Sequence, residues 1–223
     1  MEKNKLPYYT LRTDVIFKNT FNDEESLKRL LSETLNLEVK DILQSNIELP
    51  VEKYNERKKY LDLILETDIG IVNVELNHGY KDELPNRNLL YFCKLLSSSV
   101  KRNNSYINVD KHIQLNITWN LKKYLNFGIT NKKIIPCHIT VDETHEKLYE
   151  NVFEIINVNM DYFEDVWYHG DVKKENPFLM LLAAPTKEKM DEISEGDNLM
   201  ENINAKVKRL NQDTEILDVI IEN

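Results

Sequence analysis

Apolar residues recur along this chain at two spacings, and the switches between them mark its elements. From 71 to 77 the pattern alternates strictly. Val72, Val74 and Leu76 take one side, and Asn73, Glu75 and Asn77 take the other. A period of two predicts a strand. Ile113, Leu115, Ile117 and Trp119 alternate with polar residues in the same way and predict another. Lys59 to Glu66, Ile134 to Val141 and Val152 to Val158 are further strand candidates, and Ile47 and Leu49 suggest a short strand ending at Pro50. Thr67-Asp68-Ile69-Gly70 reads as a hairpin turn.

Helical spacing fills the rest. Thr13 opens a short helix through Asp14-Val15-Ile16-Phe17-Lys18. A second helix follows a cap at Asn22/Asp23. Its first turn carries Glu24 and Glu25, where the helix dipole favours acids, and its stripe is Leu27, Leu30, Leu31 and Leu35. Arg87 to Arg102 is the clearest helix. Leu89, Phe92, Cys93, Leu96 and Val100 predict one buried face, with Cys93 in the core, and Arg87, Tyr91, Lys94 and Ser98 share another. From Met160 onward the chain reads as helical. Leu199, Ile203, Val207 and Leu210 form one stripe there, and Leu217, Ile220 and Ile221 another. The order predicts an α/β fold with a central mixed sheet flanked by helices. We expect a core over 1–160 and a helical extension over 161–223.

Composition narrows the classes. In 223 residues there is no apolar run near ~18 residues, so no membrane span is expected. The N-terminal MEKNKLPYYTLRTD has no apolar stretch after its lysines and does not read as a signal peptide. Two cysteines, Cys93 and Cys137, far apart, suit free thiols in a cytoplasmic protein. The formal net charge of −9 argues against strong non-specific DNA binding, although a bound metal ion would supply local positive charge. There is no Gly-rich phosphate loop, and the histidines show no metal spacing.

The informative segment is Tyr60-Leu61-Asp62 followed by Val74-Glu75-Leu76-Asn77. If the hairpin pairs Glu66 with Ile71, Asp62 falls opposite Glu75 on the same sheet face, with Cβ atoms ~5 Å apart. Carboxylates held that close repel unless a cation lies between them, and oxygen ligands suit Mg²⁺ or Mn²⁺. Asn77 shares the face and can position water or a phosphate. A loop one residue shorter would send Asp62 to the other face. The plainer alternative is that Asp62 and Glu75 sit on the solvated side of a hairpin.

The ordered set TDVIFKNTF (13–21), KKYLDL (58–63), VNVELN (72–77), RNLLYFCKLL (87–96) and HIQLNITW (112–119) resembles the Rpn family of recombination-promoting nucleases, also described as PD-(D/E)XK nuclease family transposases. The resemblance runs over roughly residues 10 to 180. It implies a PD-(D/E)XK, restriction-endonuclease-like core. Asp62 and Glu75 would be metal ligands, with the Leu76 carbonyl as a third. Asn77 stands where the superfamily often has Lys and this family commonly has Gln. Lys59, Arg87 and Lys18 match basic positions that would contact substrate. Asn77 is neutral, and Leu61 rather than Pro precedes Asp62; both departures fall at the site and not in the order of elements.

Two functions follow as expectations. One is a Mg²⁺- or Mn²⁺-dependent DNA endonuclease linked to mobile elements or recombination, with DNA as partner and a homodimer as one arrangement for cutting two strands. The other is a catalytically weak nuclease-fold protein that binds DNA or protein. Arg87 opens a helix, a poor place for a cation on dipole grounds, so an acidic group or a phosphate is expected beside it. His78 is expected at the rim.

Overall fold

A computed structural model describes residues 7–45, 63–78, 84–99, 110–119, 133–137, 139–141, 146–148 and 152–222. They divide into two compact units. One is Thr34–Tyr162, and the other joins the residues up to Glu33 with those from Phe163 on.

The first unit holds a six-stranded sheet. Its strands are β1 (Ile42–Ser45), β2 (Leu63–Thr67), β3 (Gly70–Asn77), β4 (His112–Thr118), β5 (Ile134–Cys137) and, after a separate two-stranded pair of β6 (Ile139–Val141) and β7 (Glu146–Leu148), β8 (Phe153–Asn159). The spatial order is β1-β2-β3-β4-β8-β5. β3, β4 and β8 are parallel to one another. The β1-β2-β3 side and the β5-β8 edge are antiparallel, so the sheet is mixed, as expected. Parallel neighbours need a crossover connection, and α3 (Leu84–Ser99) lies between β3 and β4 in the chain.

The β2–β3 hairpin pairs Glu66 with Ile71, as the pattern predicts, and adds Thr67 with Gly70. Asp68 and Ile69 therefore form a two-residue turn. The Thr67 hydroxyl donates to the Gly70 carbonyl at 2.8 Å, and the Asp68 carboxylate accepts from the Lys40 amide at 3.2 Å. Gly70 has φ +124°, and a Cβ there would stand 2.2 Å from the Lys111 carbonyl oxygen, so the position requires glycine. The strand expected at Ile47 and Leu49 lies outside the described residues. The run expected over Ile134 to Val141 is two strands with different partners, β5 on β8 and β6 on β7.

The second unit is helical. It contains α1 (Asp14–Thr20), most of α2 (Glu24–Leu35), most of α4 (Met160–His169), a 3₁₀ turn (Val172–Lys174), α5 (Pro177–Ala183), α6 (Lys187–Ser194), α7 (Asn198–Leu210) and α8 (Thr214–Glu222). The α2 stripe is as predicted, with Leu27, Leu30, Leu31 and Leu35 buried. The Asp23 carboxylate caps that helix, accepting from the Ser26 amide at 3.0 Å, and it also pairs with Lys206. Burial opposes its ionisation, but the hydrogen bonds from Lys206 and Ser26 outweigh that and hold it down at about 2. Phe178 to Ala183 on α5 are all buried, and the Trp167 indole donates to the Met180 carbonyl at 3.0 Å. On α7 the buried stripe is Met200, Ile203, Asn204 and Val207, while Leu199 and Leu210 are half-buried. On α8 Leu217 is buried and Ile221 is exposed, so that stripe is narrower than its apolar content suggests. Among the described residues no helix is long and apolar enough to cross a membrane.

Candidate active site: a buried polar sheet face

The strands β3, β4 and β8 have two unlike faces. Val72, Val74 and Leu76, Ile113, Leu115 and Ile117, and Ile156 and Val158 form one, and all are buried. Asn73, Glu75 and Asn77, Gln114, Asn116 and Thr118, and Asn157 and Asn159 form the other, and these are buried too. Alternation put the side chains on the predicted sides, but the polar side is not solvated. The alternative of an exposed Glu75 is overturned, since its exposure is 3%.

A cover from α3 explains the burial. Asn88 donates to Asn116 Oδ1 at 3.2 Å, the Phe92 ring lies 5.7 Å from Phe153, and Arg87 donates to Asn77 Oδ1 at 2.9 Å. Among the described side chains of this helix the buried ones are Asn88, Phe92 and Leu95, spaced i, i+4, i+7. The expectation of one buried face through Leu89, Phe92, Cys93, Leu96 and Val100 is corrected here, Val100 itself lying outside the described residues. Leu89 is 50% exposed, Cys93 is exposed rather than core, and Leu96 is half-buried. The reason is chemical: a helix over a polar surface turns inward a side chain that can hydrogen-bond, and Asn88 does this where Leu89 cannot.

The lining is a ladder of amides. Asn73 Nδ2 donates to Glu75 Oε1 at 3.3 Å and to Gln114 Oε1 at 2.7 Å. Gln114 Nε2 donates to Asn116 Oδ1 at 2.8 Å, and Asn116 Nδ2 to Asn157 Oδ1 at 3.0 Å. The strand pairing sets these rungs, with Asn73 beside Gln114, Glu75 beside Asn116 and Asn77 beside Thr118. Asn77 Nδ2 faces Thr118 Oγ1 at 3.4 Å. At the far end, His112 Nδ1 lies 2.7 Å from the Asp110 carbonyl, and burial holds the imidazole below its ordinary pKa. A neutral ring with its proton on Nδ1 fits both facts.

Three predicted site residues therefore meet. Glu75 and Asn77 are buried on one face, and Arg87 reaches Asn77, lying also 5.9 Å over the Tyr91 ring. Among the described residues the partner beside Arg87 is the Asn77 amide oxygen. Leu76 sits between Glu75 and Asn77 with its side chain on the apolar face. Asp62 and Lys59 lie outside the described residues. Lys18 is half-buried on α1, in the helical unit. His78 is exposed and stacks on Trp119 with centroids 4.7 Å apart. Among the described residues no three His, Cys, Asp or Glu side chains gather.

Sequence reasoning did not single out Asn73, Asn88, Gln114, Asn116 and Asn157. One signal for them was present. The polar positions on this side of β3, β4 and β8 include the amides Asn73, Asn77, Gln114, Asn116, Asn157 and Asn159, whereas a solvated strand face ordinarily carries Lys, Glu and Arg. No curated protein and no solved structure matches the chain. The model of one family does match it over residues 11–222, nearly the whole chain, and with a mixed sheet whose β3 carries Glu75 this chain belongs to the PD-(D/E)XK nuclease family transposases.

Proposed function

We propose that this protein is a divalent-metal-dependent DNA endonuclease whose site is the polar sheet face at Glu75. The observation that carries the reading is the burial of the Glu75 carboxylate among amides, on the strand that the family motif occupies. A buried carboxylate is costly unless it is paired or binds a cation. The residues present fit such a cation. Magnesium and manganese take hard oxygen ligands, and the face offers the Glu75 carboxylate together with amide oxygens.

In this reading Asp62 is the second carboxylate. The hairpin pairs run from Thr67–Gly70 to Leu63–Val74, in the register from which Asp62 is expected opposite Glu75; Asp62 itself lies outside the described residues. The Leu76 carbonyl is a third ligand. When bound, Mg²⁺ or Mn²⁺ would polarise the scissile phosphate and lower the pKa of a bound water. Asn77 holds no charge, but it holds Arg87, so a guanidinium stands at the place where the superfamily often has Lys. Arg87, Lys59 and Lys18 bind the phosphate backbone. DNA is the partner, in the cytoplasm, and a homodimer would bring two sites to two strands.

One observation favours the second reading, a weak or inactive nuclease fold that binds DNA or protein. Asn77 Oδ1 already accepts from Arg87, which leaves it less free to orient water. The discriminating experiment is a melt with and without Mg²⁺ or Mn²⁺, paired with a low-salt plasmid-nicking assay. We expect both metals to raise Tm and to support slow nicking, and Asp62→Asn and Glu75→Ala to abolish both effects. A wild type with neither response rules the endonuclease reading out.

A further inference from the structure

We infer that Asn73 and Asn88 are outer ligands of the cation at Glu75, their amide oxygens accepting hydrogen bonds from its coordinated water. This rests on the metal-dependent reading above and adds to it two residues that lie outside the Asp62–Glu75–Asn77 motif.

The starting point is a pair of orphaned atoms. Asn73 Oδ1 and Asn88 Oδ1 are buried, and neither has a hydrogen-bond donor among the described residues. The side chains are 0% and 5% exposed. A buried acceptor left without a donor costs free energy, and native proteins rarely keep one without an unrecorded water or ion.

The amide orientations are set by the network. Asn73 has Glu75 Oε1 at 3.3 Å and Gln114 Oε1 at 2.7 Å on its nitrogen. Glu75 only accepts, so turning the Asn73 amide would set oxygen against oxygen at both contacts. Gln114 has its own nitrogen on Asn116 Oδ1, so its oxygen is fixed toward Asn73. Asn116 has its nitrogen on Asn157, so its oxygen is the acceptor for both Gln114 and Asn88. Asn88 must therefore present nitrogen to Asn116, and its oxygen is the atom left over.

The two side chains belong to the Glu75 neighbourhood. Asn73 lies two residues before Glu75 on the same face and bonds to it. Asn88 bonds to Asn116, which is paired with Glu75 across β3 and β4. The side chains tied to Glu75, directly or through Asn116, thus bring two orphaned carbonyl oxygens to this part of the face. Bare acceptors of this kind suit a group that only donates. A hydrated Mg²⁺ or Mn²⁺ is such a group, because Mg²⁺ usually keeps several waters, each with hydrogens pointing outward. The amide oxygens would hold that hydration shell in place.

The test compares two variants that lose the same donor. Asn88→Leu and Asn88→Asp both remove the bond to Asn116, and only Asn88→Asp keeps oxygen acceptors. Mn²⁺ affinity is read from the electron paramagnetic resonance of free Mn²⁺, without DNA, on full-length protein whose fold is checked by circular dichroism. Asn88→Leu should weaken Mn²⁺ binding ~10–100-fold, and Asn88→Asp should restore it to the wild-type value or tighter. The same two substitutions at Asn73 should order the same way. If Asn88→Leu does not fold, Asn88→Ala read against Asn88→Asp makes the same comparison. A merely structural role predicts that the Leu and Asp variants bind alike. Wild-type binding with Leu, Asp and native side chains all equal overturns this inference and leaves the metal site standing. A wild type that binds no Mn²⁺ overturns both.

Discussion

The two faces of β3, β4 and β8 come from alternate residues of the same segments, yet they are stabilised differently. The apolar face is made of Val, Ile and Leu, whose burial is favourable wherever they meet a closely packed neighbour. The polar face is equally buried, but each amide and the Glu75 carboxylate must find a partner of the right polarity and direction. Burial of the first kind tolerates substitution by another hydrophobe. Burial of the second kind depends on the order of donors and acceptors across three strands and a helix. Stability rests mainly on the first face, and the chemistry we propose rests on the second.

That division can be broken at each face. Leu115, at 0% exposure, is central to the apolar face, and Leu115→Ala should cost ~2–5 kcal/mol, read as a lower denaturant midpoint at unchanged slope. The cation-induced rise in Tm should survive in that variant, and its loss would show that the faces are not separable. On the polar face, Arg87→Ala removes the guanidinium from Asn77 and should slow DNA nicking ~10²-fold, with a change in Tm well below that of Leu115→Ala. Equal rates for wild type and Arg87→Ala would remove Arg87 from the site. The smallest effect concerns His112 at the end of the amide ladder. Burial lowers its folded pKa below 6.5, so the unfolded chain takes up a proton first as the pH falls. Stability should therefore decline as pH drops through 6.5, no more steeply than ~1.4 kcal/mol per pH unit, the limit for one proton. The decline should stop once the folded form also titrates. Chemical denaturation of wild type and His112→Gln between pH 7 and 5 reads this slope, and the variant should lack it.

The sides taken by Val72, Val74 and Leu76 against Asn73, Glu75 and Asn77 were legible because a strand's period of two depends on backbone geometry alone. The pairing of Glu66 with Ile71 was legible for a related reason. A tight turn with glycine at its end restricts hairpin register, and Gly70 meets both the dihedral and the steric demand. The α2 stripe was legible because its leucines are buried at the spacing the sequence shows, so that periodicity and burial agree. On α3 they disagree. Leu89 and Cys93 carry the apolar signal but face outward, while Asn88 faces in. Periodicity assumes that what a helix covers is apolar, and the surface beneath α3 is not.

Local sequence thus determined the sides of β3 and β4, the α2 stripe, the hairpin register and, through its motifs, the family. Those properties follow from backbone periodicity, turn chemistry and residues close together in the chain. Tertiary structure alone decided that α3 closes over the polar face, that Arg87 lies on Asn77, and that Asn73, Gln114, Asn116 and Asn157 join into one ladder. These residues come from strands as far apart as β3 and β8. A buried amide's worth is set by the partner that folding brings to it, and for Asn73 with Gln114, Asn88 with Asn116 and Asn116 with Asn157 that partner lies 41, 28 and 41 residues away in the chain.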